Sequence, residues 1–265
     1  EVVRLGDGLH TAWFRRVLNE RYWLHRWFTR LSLFHLSKCW MERRTLTSAR
    51  VKTIIVNSDF IATQVLKCYP RVEDKLVVHR NVSSLRLSQN VVKVTQEQPQ
   101  TLKLLFVGSG WSRKGLSRVI DIMDSLRQHR PCSLTVYGSD KNAQKYVSQV
   151  HALGLDHLVA FNGVVEMTQQ IYSQHQILIL PSSYDPFPNV AAEALCAGIN
   201  VLTTSDTGVT DFCESPRVHI ADSNEAMVSY LVSYESHEDP FETERFRAEF
   251  SEAYFMNALV RDGLC

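Results

Sequence analysis

An α/β chain built on a parallel, doubly wound sheet is predicted by two observations. From residue 101 onward, short apolar runs alternate with helix-length segments, the pattern of successive βαβ units. The run at 176–181, Gln-Ile-Leu-Ile-Leu-Pro, is also continuously apolar, as a strand covered on both faces must be. The elements then follow in order. Strands are expected at 102–107, 133–137, 158–161, 177–180 and 200–204, with helices at 116–129, 142–153, 167–175 and 190–197 between them. A right-handed winding of these units makes 101 to about 223 one doubly wound region. Upstream, 52–57 (KTIIVN) reads as a strand, 58–69 as a helix capped by Ser58, and 75–79 (KLVVH) as another strand. The polar, aperiodic stretch 83–100 is the best linker, and 240–264 reads as one helix with Phe246, Phe250, Tyr254, Phe255 and Leu259 near one face.

The 265 residues, 45% hydrophobic, carry a formal net charge of +1. This is enough for one large domain or two small ones, and close to neutral overall, which argues against a nucleic-acid partner. No apolar stretch reaches the roughly 18 residues of a membrane span. No signal peptide opens the chain, and it begins with Glu1 rather than Met, so a processed or truncated piece is expected. The six cysteines are scattered without a CxxC pair, and the ten histidines include no HxH or HExxH. Reduced thiols, a cytoplasmic setting and no metal site follow as expectations.

Two stretches carry the chemistry. The first strand of the doubly wound region ends in Gly108-Ser109-Gly110-Trp111-Ser112-Arg113-Lys114-Gly115. Glycines let backbone N–H groups approach a phosphate, and the two cations stand beside a helix N-terminus. An ordinary βα turn with solvated basic residues is the other reading of this loop. The second stretch runs from Pro181 to Gly208 and holds Asp185 and Glu193 with seven residues between them. That spacing is too long for neighbours on one helix face. It fits a loop acid, then Pro186 and Pro188 excluding regular helix, then Asn189 as N-cap of a helix carrying Glu193. Two acids around a helix N-terminus are an arrangement expected to suit a sugar-phosphate.

Together these stretches resemble the retaining family 4 glycosyltransferases of the two-domain GT-B fold. Tyr137-Gly138-Ser139 is similar to the family's strand-end glycine, Val159–Val164 (VAFNGV) to its V-x-F-x-G turn, and Glu193–Gly198 (EALCAG) to its E-A-x-A-x-G helix. Residues 43–58, with IIVNS, and the helix after them resemble the end of the family's N-terminal domain. The similarity extends over about 4–215 and is densest from 102 to 208, and GSGWSRKGL looks especially like the lipopolysaccharide-core α-glucosyltransferase branch. The resemblance implies a complete C-terminal Rossmann-like domain at 101–239, the partial end of an N-terminal, acceptor-side one at 1–88, a linker at 89–100 and a C-terminal helix at 240–265.

It also implies roles. Glu193 would accept the ribose hydroxyls of a nucleotide-sugar, and Asp185 would orient the transferred sugar. Arg113 and Lys114 would neutralise the departing diphosphate, with backbone N–H groups near Asn189 and Val190 assisting. Gly163, Val164 and Val165 would border the nucleobase, and Gly108, Ser109, Gly110, Gly138, Pro186 and Phe187 complete the implied donor-binding set. The donor implied is UDP-linked, UDP-glucose first, and the acceptor a glycan or lipid-linked glycan. No cofactor or metal is implied, in keeping with the absence of an Asp-x-Asp motif. Asp185 departs from the glutamate common at its position, Ser109 from an arginine, and 79–82 (HRNV) from an Asn-Gly turn.

Asp7 and His10, in Gly6–His10, are candidates for a base acting on the acceptor hydroxyl; the alternative is a strand-end turn in which Asp7 is a cap. Residues 1–52 hold eleven Lys or Arg against four acids, and Trp13–Trp40 adds seven Trp and Phe residues. This stretch reads either as a peripheral contact with anionic lipid or as ordinary helices with buried aromatics and solvated arginines. A retaining hexosyltransferase is the first expectation and a non-catalytic nucleotide-sugar-binding module the alternative, with a sugar-nucleotide epimerase ranked below both.

Overall fold

The computed structural model describes residues 1–14, 32–83, 101–235 and 239–264. The proposed linker 89–100 and most of the basic aromatic stretch lie outside the described residues. Two parallel sheets organise the rest. The first has three strands, β1 (Val2–Leu5), β2 (Thr53–Val56) and β3 (Leu76–Val78), in the order β1-β2-β3. Helix α1 (Leu33–Leu46) precedes β2, and α2 (Asp59–Cys68) with a 3-10 turn (Pro70–Lys75) connects β2 to β3. Ser58 caps α2 as expected, its hydroxyl accepting from the Ile61 N–H at 3.2 Å.

The second sheet has six strands. They are β4 (Leu102–Val107), β5 (Cys132–Tyr137), β6 (Val159–Phe161), β7 (Ile177–Leu180), β8 (Asn200–Thr203) and β9 (Val218–Ile220). Their order is β6-β5-β4-β7-β8-β9, and every pairing is parallel. Helices α3 (Trp111–Lys114), α4 (Leu116–Leu126), α5 (Ala143–Ala152), α6 (Gln169–Ser173), α7 (Asn189–Ala197) and α8 (Asn224–Ser233) connect or follow these strands. Strands β4 and β7 are buried almost throughout, which is why their sequences read as unbroken apolar runs.

Several expectations are corrected. Strand β9 and helix α8 complete the sheet beyond the five strands read from sequence, because Val218-His-Ile220 is too short to announce itself. The loop after β4 contains the one-turn helix α3, and α6 is only five residues long. Asn189 is not an N-cap. The helix begins at Asn189 itself behind Pro188, and the Asn189 side chain accepts from Asn81 Nδ2 at 2.7 Å instead. The tail is two helices, α9 (Pro240–Glu249) and α10 (Glu252–Arg261), since Ser251 accepts the Tyr254 N–H and caps a fresh start. Phe246 on the first and Phe250 just after it bury themselves in the core of the six-stranded unit, while Tyr254 on the second is exposed.

The C-terminal ends of the two sheets face one another. A Cβ added at Gly8, just past β1, would lie 2.5 Å from the Tyr184 hydroxyl and 2.8 Å from Pro186 Cγ, so the approach requires glycine. Ser58 Oγ donates to the Pro186 carbonyl at 2.7 Å, and Tyr184 packs into the core of the three-stranded sheet while donating to Gln64 Oε1 at 3.2 Å. Asp211 accepts the Asp59 and Phe60 N–H groups at 2.8 and 3.1 Å, closing the N-terminus of α2 from the other unit. Helix α10 returns to the first unit, where His79 Nε2 lies 2.9 Å from Asp262 and Arg4 stacks over Phe255.

Candidate donor site at the turning point of the sheet

Strand order fixes where a site can form. From β4 the chain winds outward through β5 and β6, then crosses back to place β7 on the other side of β4. The loops leaving β4 and β7 therefore diverge, and the crevice beyond the C-terminal ends of such strands is where open α/β sheets bind ligands. Both motif-bearing stretches emerge there. The β4 loop carries Gly108 to Gly115, and the β7 loop carries Pro181 to Pro188.

Backbone contacts hold the crevice together. Gly108 N–H donates to Tyr137 O at 3.0 Å and Gly138 N–H to Gly163 O at 2.6 Å, which lines up the three strand-end glycines. Gly138 has φ +116°, and a Cβ there would stand 2.0 Å from the Gly108 carbonyl oxygen, so no other residue fits. Trp111 anchors α3 inward. Its indole N–H donates to Gly108 O at 2.8 Å, and its backbone N–H donates to Asp140 Oδ2 at 2.8 Å. Ser183 N–H donates to the Arg113 carbonyl at 2.9 Å, tying α3 to the β7 loop.

The result is a charge cluster. Asp185 Oδ2 accepts from Arg113 Nη1 at 3.2 Å and from Lys114 Nζ at 3.4 Å. Arg113 Nη1 also donates to the Tyr184 carbonyl at 2.8 Å. The Lys114 side chain lies across Gly108 and is 10% exposed, against 8% for Asp185 and 43% for Arg113. Burial pushes the Lys114 ammonium below the ordinary lysine value, while Asp185 pulls it up and Arg113 pushes it down again. Two cations facing a crevice with one paired carboxylate leave net positive charge for an anion.

Glu193 is on the buried side of α7, where its Oε2 accepts from the Tyr172 hydroxyl at 2.6 Å. Burial and this carboxylate both push the Tyr172 phenol upward, so it stays protonated and donates. The turn bearing Gly163, Val164 and Val165 is exposed, with Val164 75% accessible, and offers apolar surface beside the strand ends. Ser109 and Gly110 are exposed, and Val190 is half-buried at the start of α7. Pro186 and Phe187 take scaffold positions. Pro186 contacts the first unit, and the Phe187 ring packs on Phe212 and Phe250 with centroids 6.1 and 5.8 Å away.

The other wall is less organised. Asp7 is exposed in the turn after β1. His10 begins a helical segment whose first N–H groups, those of His10 and Thr11, donate to Glu42, and its ring Nε2 lies 3.2 Å from His35 Nδ1. Burial and His35 push the His10 imidazole below its ordinary value. Glu42, not Asp7, is the cap there. Sequence reasoning missed Tyr172, Asp140, Glu42 and His35. Only Tyr172 left a trace, as a hydroxyl in an otherwise core-forming segment that must find a partner when buried. Among the described residues no three His, Cys, Asp or Glu side chains gather as a metal site.

Comparison with known proteins agrees with this layout. Residues 88–239 match the family described as Glycosyl transferases group 1. An uncharacterized glycosyltransferase of Methanocaldococcus jannaschii is 30% identical over 110 residues, a stretch that spans 41% of this chain and 28% of that protein. Among solved structures, WaaG, a glycosyltransferase involved in lipopolysaccharide biosynthesis, aligns over 100% of this chain and 70% of its own, with TM-score 0.69 and 20% identity. Sucrose-phosphate synthase from Thermosynechococcus elongatus aligns over 98% and 67%, with TM-score 0.73 and 18% identity. Anabaena HepE, solved with UDP and glucose, aligns over 88% and 67%, with TM-score 0.61 and 17% identity. The fold is of the GT-B type.

Proposed function

The chain belongs to the Glycosyl transferases group 1 family, and from that premise we propose that it serves a retaining hexosyltransferase of the family 4 type. The donor is a nucleoside-diphosphate hexose, UDP-glucose first, and the acceptor a glycan or lipid-linked glycan. The observation that carries this reading is the Arg113–Lys114–Asp185 cluster at the turning point of the sheet.

In this reading the diphosphate lies over Gly108 to Gly110 and against the two cations. As the bond from the anomeric carbon to the phosphate oxygen breaks, negative charge grows on that oxygen, and Lys114 and Arg113 neutralise it in place. The acceptor hydroxyl forms the new bond on the same face and passes its proton to the departing phosphate oxygen. Asp185 keeps the cations oriented before the donor arrives and then meets a sugar hydroxyl, while Glu193 takes the ribose. The exposed valines at 164 and 165 support the base. Gly8 in the Gly6–His10 loop abuts Tyr184 and Pro186, which supports an acceptor-side role for that loop and its candidates Asp7 and His10.

The test is calorimetry of the chain with UDP-, GDP- and ADP-sugars, followed by the anomeric configuration of any product by NMR. Tight binding of one donor and retention of configuration support the reading. No binding to any of them removes it.

The lipid-facing role belongs to the same proposal. Helix α1 exposes Leu33, Phe34, Leu36, Trp40 and Met41, with Lys38 drawn over Phe34 and Arg44 over Trp40. Apolar side chains flanked by cations suit the surface of an anionic bilayer. No described helix is long and apolar enough to cross a membrane.

A further inference from the structure

We propose that Tyr172 is the positioning residue of the donor's ribose site, holding the Glu193 carboxylate in the orientation that reads the sugar's hydroxyls. The inference rests on the donor-site reading above and adds a residue that lies outside both motif-bearing stretches. Tyr172 is fully buried, and its hydroxyl donates to Glu193 Oε2 at 2.6 Å, the length of a charge-assisted O–H to carboxylate bond. A buried carboxylate on a helix has several rotamers of similar energy. One short bond from a fixed donor selects among them.

The donor is fixed because α6 is fastened at both ends. Thr168 accepts the Ile171 N–H at 3.3 Å and starts the helix. At the other end His175 bridges the Ile171 carbonyl, 2.8 Å from Nδ1, and Thr135 Oγ1 on β5, 3.0 Å from Nε2. Tyr172 itself packs in the core of the six-stranded sheet. The same short helix follows directly on the 163–166 turn, whose Gly163 carbonyl accepts from Gly138. Helix α6 thus couples the exposed valine ledge to the carboxylate of α7 as one rigid piece. Base and ribose would be read at a fixed separation.

A purely structural tyrosine would affect stability and leave ligand discrimination alone, and the experiment separates the two. The full chain, Tyr172→Phe, Glu193→Gln and the double variant are first checked for folding by thermal unfolding. Calorimetry then measures UDP, GDP and ADP against their 2′-deoxy counterparts. We expect Tyr172→Phe to weaken the preferred ribonucleotide about tenfold, the loss of one charged hydrogen bond, and to leave the deoxynucleotide nearly unchanged. Adding Tyr172→Phe to Glu193→Gln should then cost nothing further. Thr168→Ala, which loosens α6 and keeps both partners, should give a smaller loss of the same discrimination and serves if the phenylalanine variant unfolds.

Discrimination lost in Glu193→Gln but intact in Tyr172→Phe overturns this inference alone. Equal weakening of ribo- and deoxynucleotides in Tyr172→Phe does the same. No nucleotide binding by the unmodified chain overturns the donor-site reading, and this inference with it.

Discussion

On the six-stranded side of the crevice, Arg113 and Lys114 both touch Asp185, and two of the three are nearly out of solvent. On the three-stranded side, Asp7 is exposed and His10 is turned toward His35 rather than toward the opposite wall. The difference teaches where preorganisation is needed. A diphosphate presents the same charge in every donor, so fixed cations can await it in a low-dielectric pocket. In the proposed reading an acceptor varies in shape, and the three-stranded wall would offer it the exposed Asp7 rather than a preformed charge cluster. Tyr184 joins the two, since it packs in the core of the three-stranded unit while the next residue, Asp185, holds the cations.

Substitutions can break this contrast. The largest effect is expected from Lys114→Ala, which removes the buried cation and should lower turnover about 10²–10³-fold. Loss of that size with donor affinity little changed would place the cation in the transition state rather than in binding. A turnover within twofold of the unmodified chain would remove Lys114 from the chemistry.

Gly138→Ala should come next, through structure rather than charge. Its Cβ meets the Gly108 carbonyl, and we expect roughly 2–3 kcal/mol of lost stability, read from chemical unfolding, with donor binding falling as the strand ends part. An unchanged unfolding midpoint would mean that the glycine alignment is not required.

Asp185→Asn should act on pH dependence. In the proposed mechanism donor neutralisation needs charged Lys114, so turnover should hold on the acid side of its lowered pKa and fall as pH rises through it, earlier than for an ordinary lysine. Removing the carboxylate that raises this pKa should move the alkaline limb to still lower pH. A limb that stays in place would uncouple Asp185 from Lys114.

His10→Ala sharpens the contrast from the other wall. Donor affinity should stay within about twofold, as for a substitution away from the ligand, while transfer to acceptor falls. The smallest effect on turnover in solution is expected from Trp40→Ala, which should leave it unchanged and weaken binding to anionic vesicles about tenfold, measured by co-sedimentation.

Much of the six-stranded unit was legible because β4, β7 and β8 are buried almost throughout, and β4, β5 and β7 run into Gly108, Gly138 and Pro181. Leu102–Val107 and Ile177–Leu180 fall where their apolar runs put them. Val218–Ile220 was not legible, since three residues with a histidine between two apolar ones carry no periodicity. The tail misled for a related reason. Phe250 and Tyr254 continue a helical spacing through Ser251, and only the capping bond to the Tyr254 N–H reveals the break. Asn189 misled because a local preference for capping yielded to a partner 108 residues away in sequence.

By itself the sequence determined the α/β class, the alternation that winds the sheet, and the residue types able to meet a sugar diphosphate. These are properties of local spacing and side-chain chemistry, and they need no knowledge of neighbours. Tertiary structure alone decided that Asp185 lies on Arg113 and Lys114, 72 and 71 residues upstream, and that Tyr172 reaches Glu193. The reason is the strand order. Placing β7 beside β4 brings two distant loops to one crevice, and no local pattern encodes which strands become neighbours.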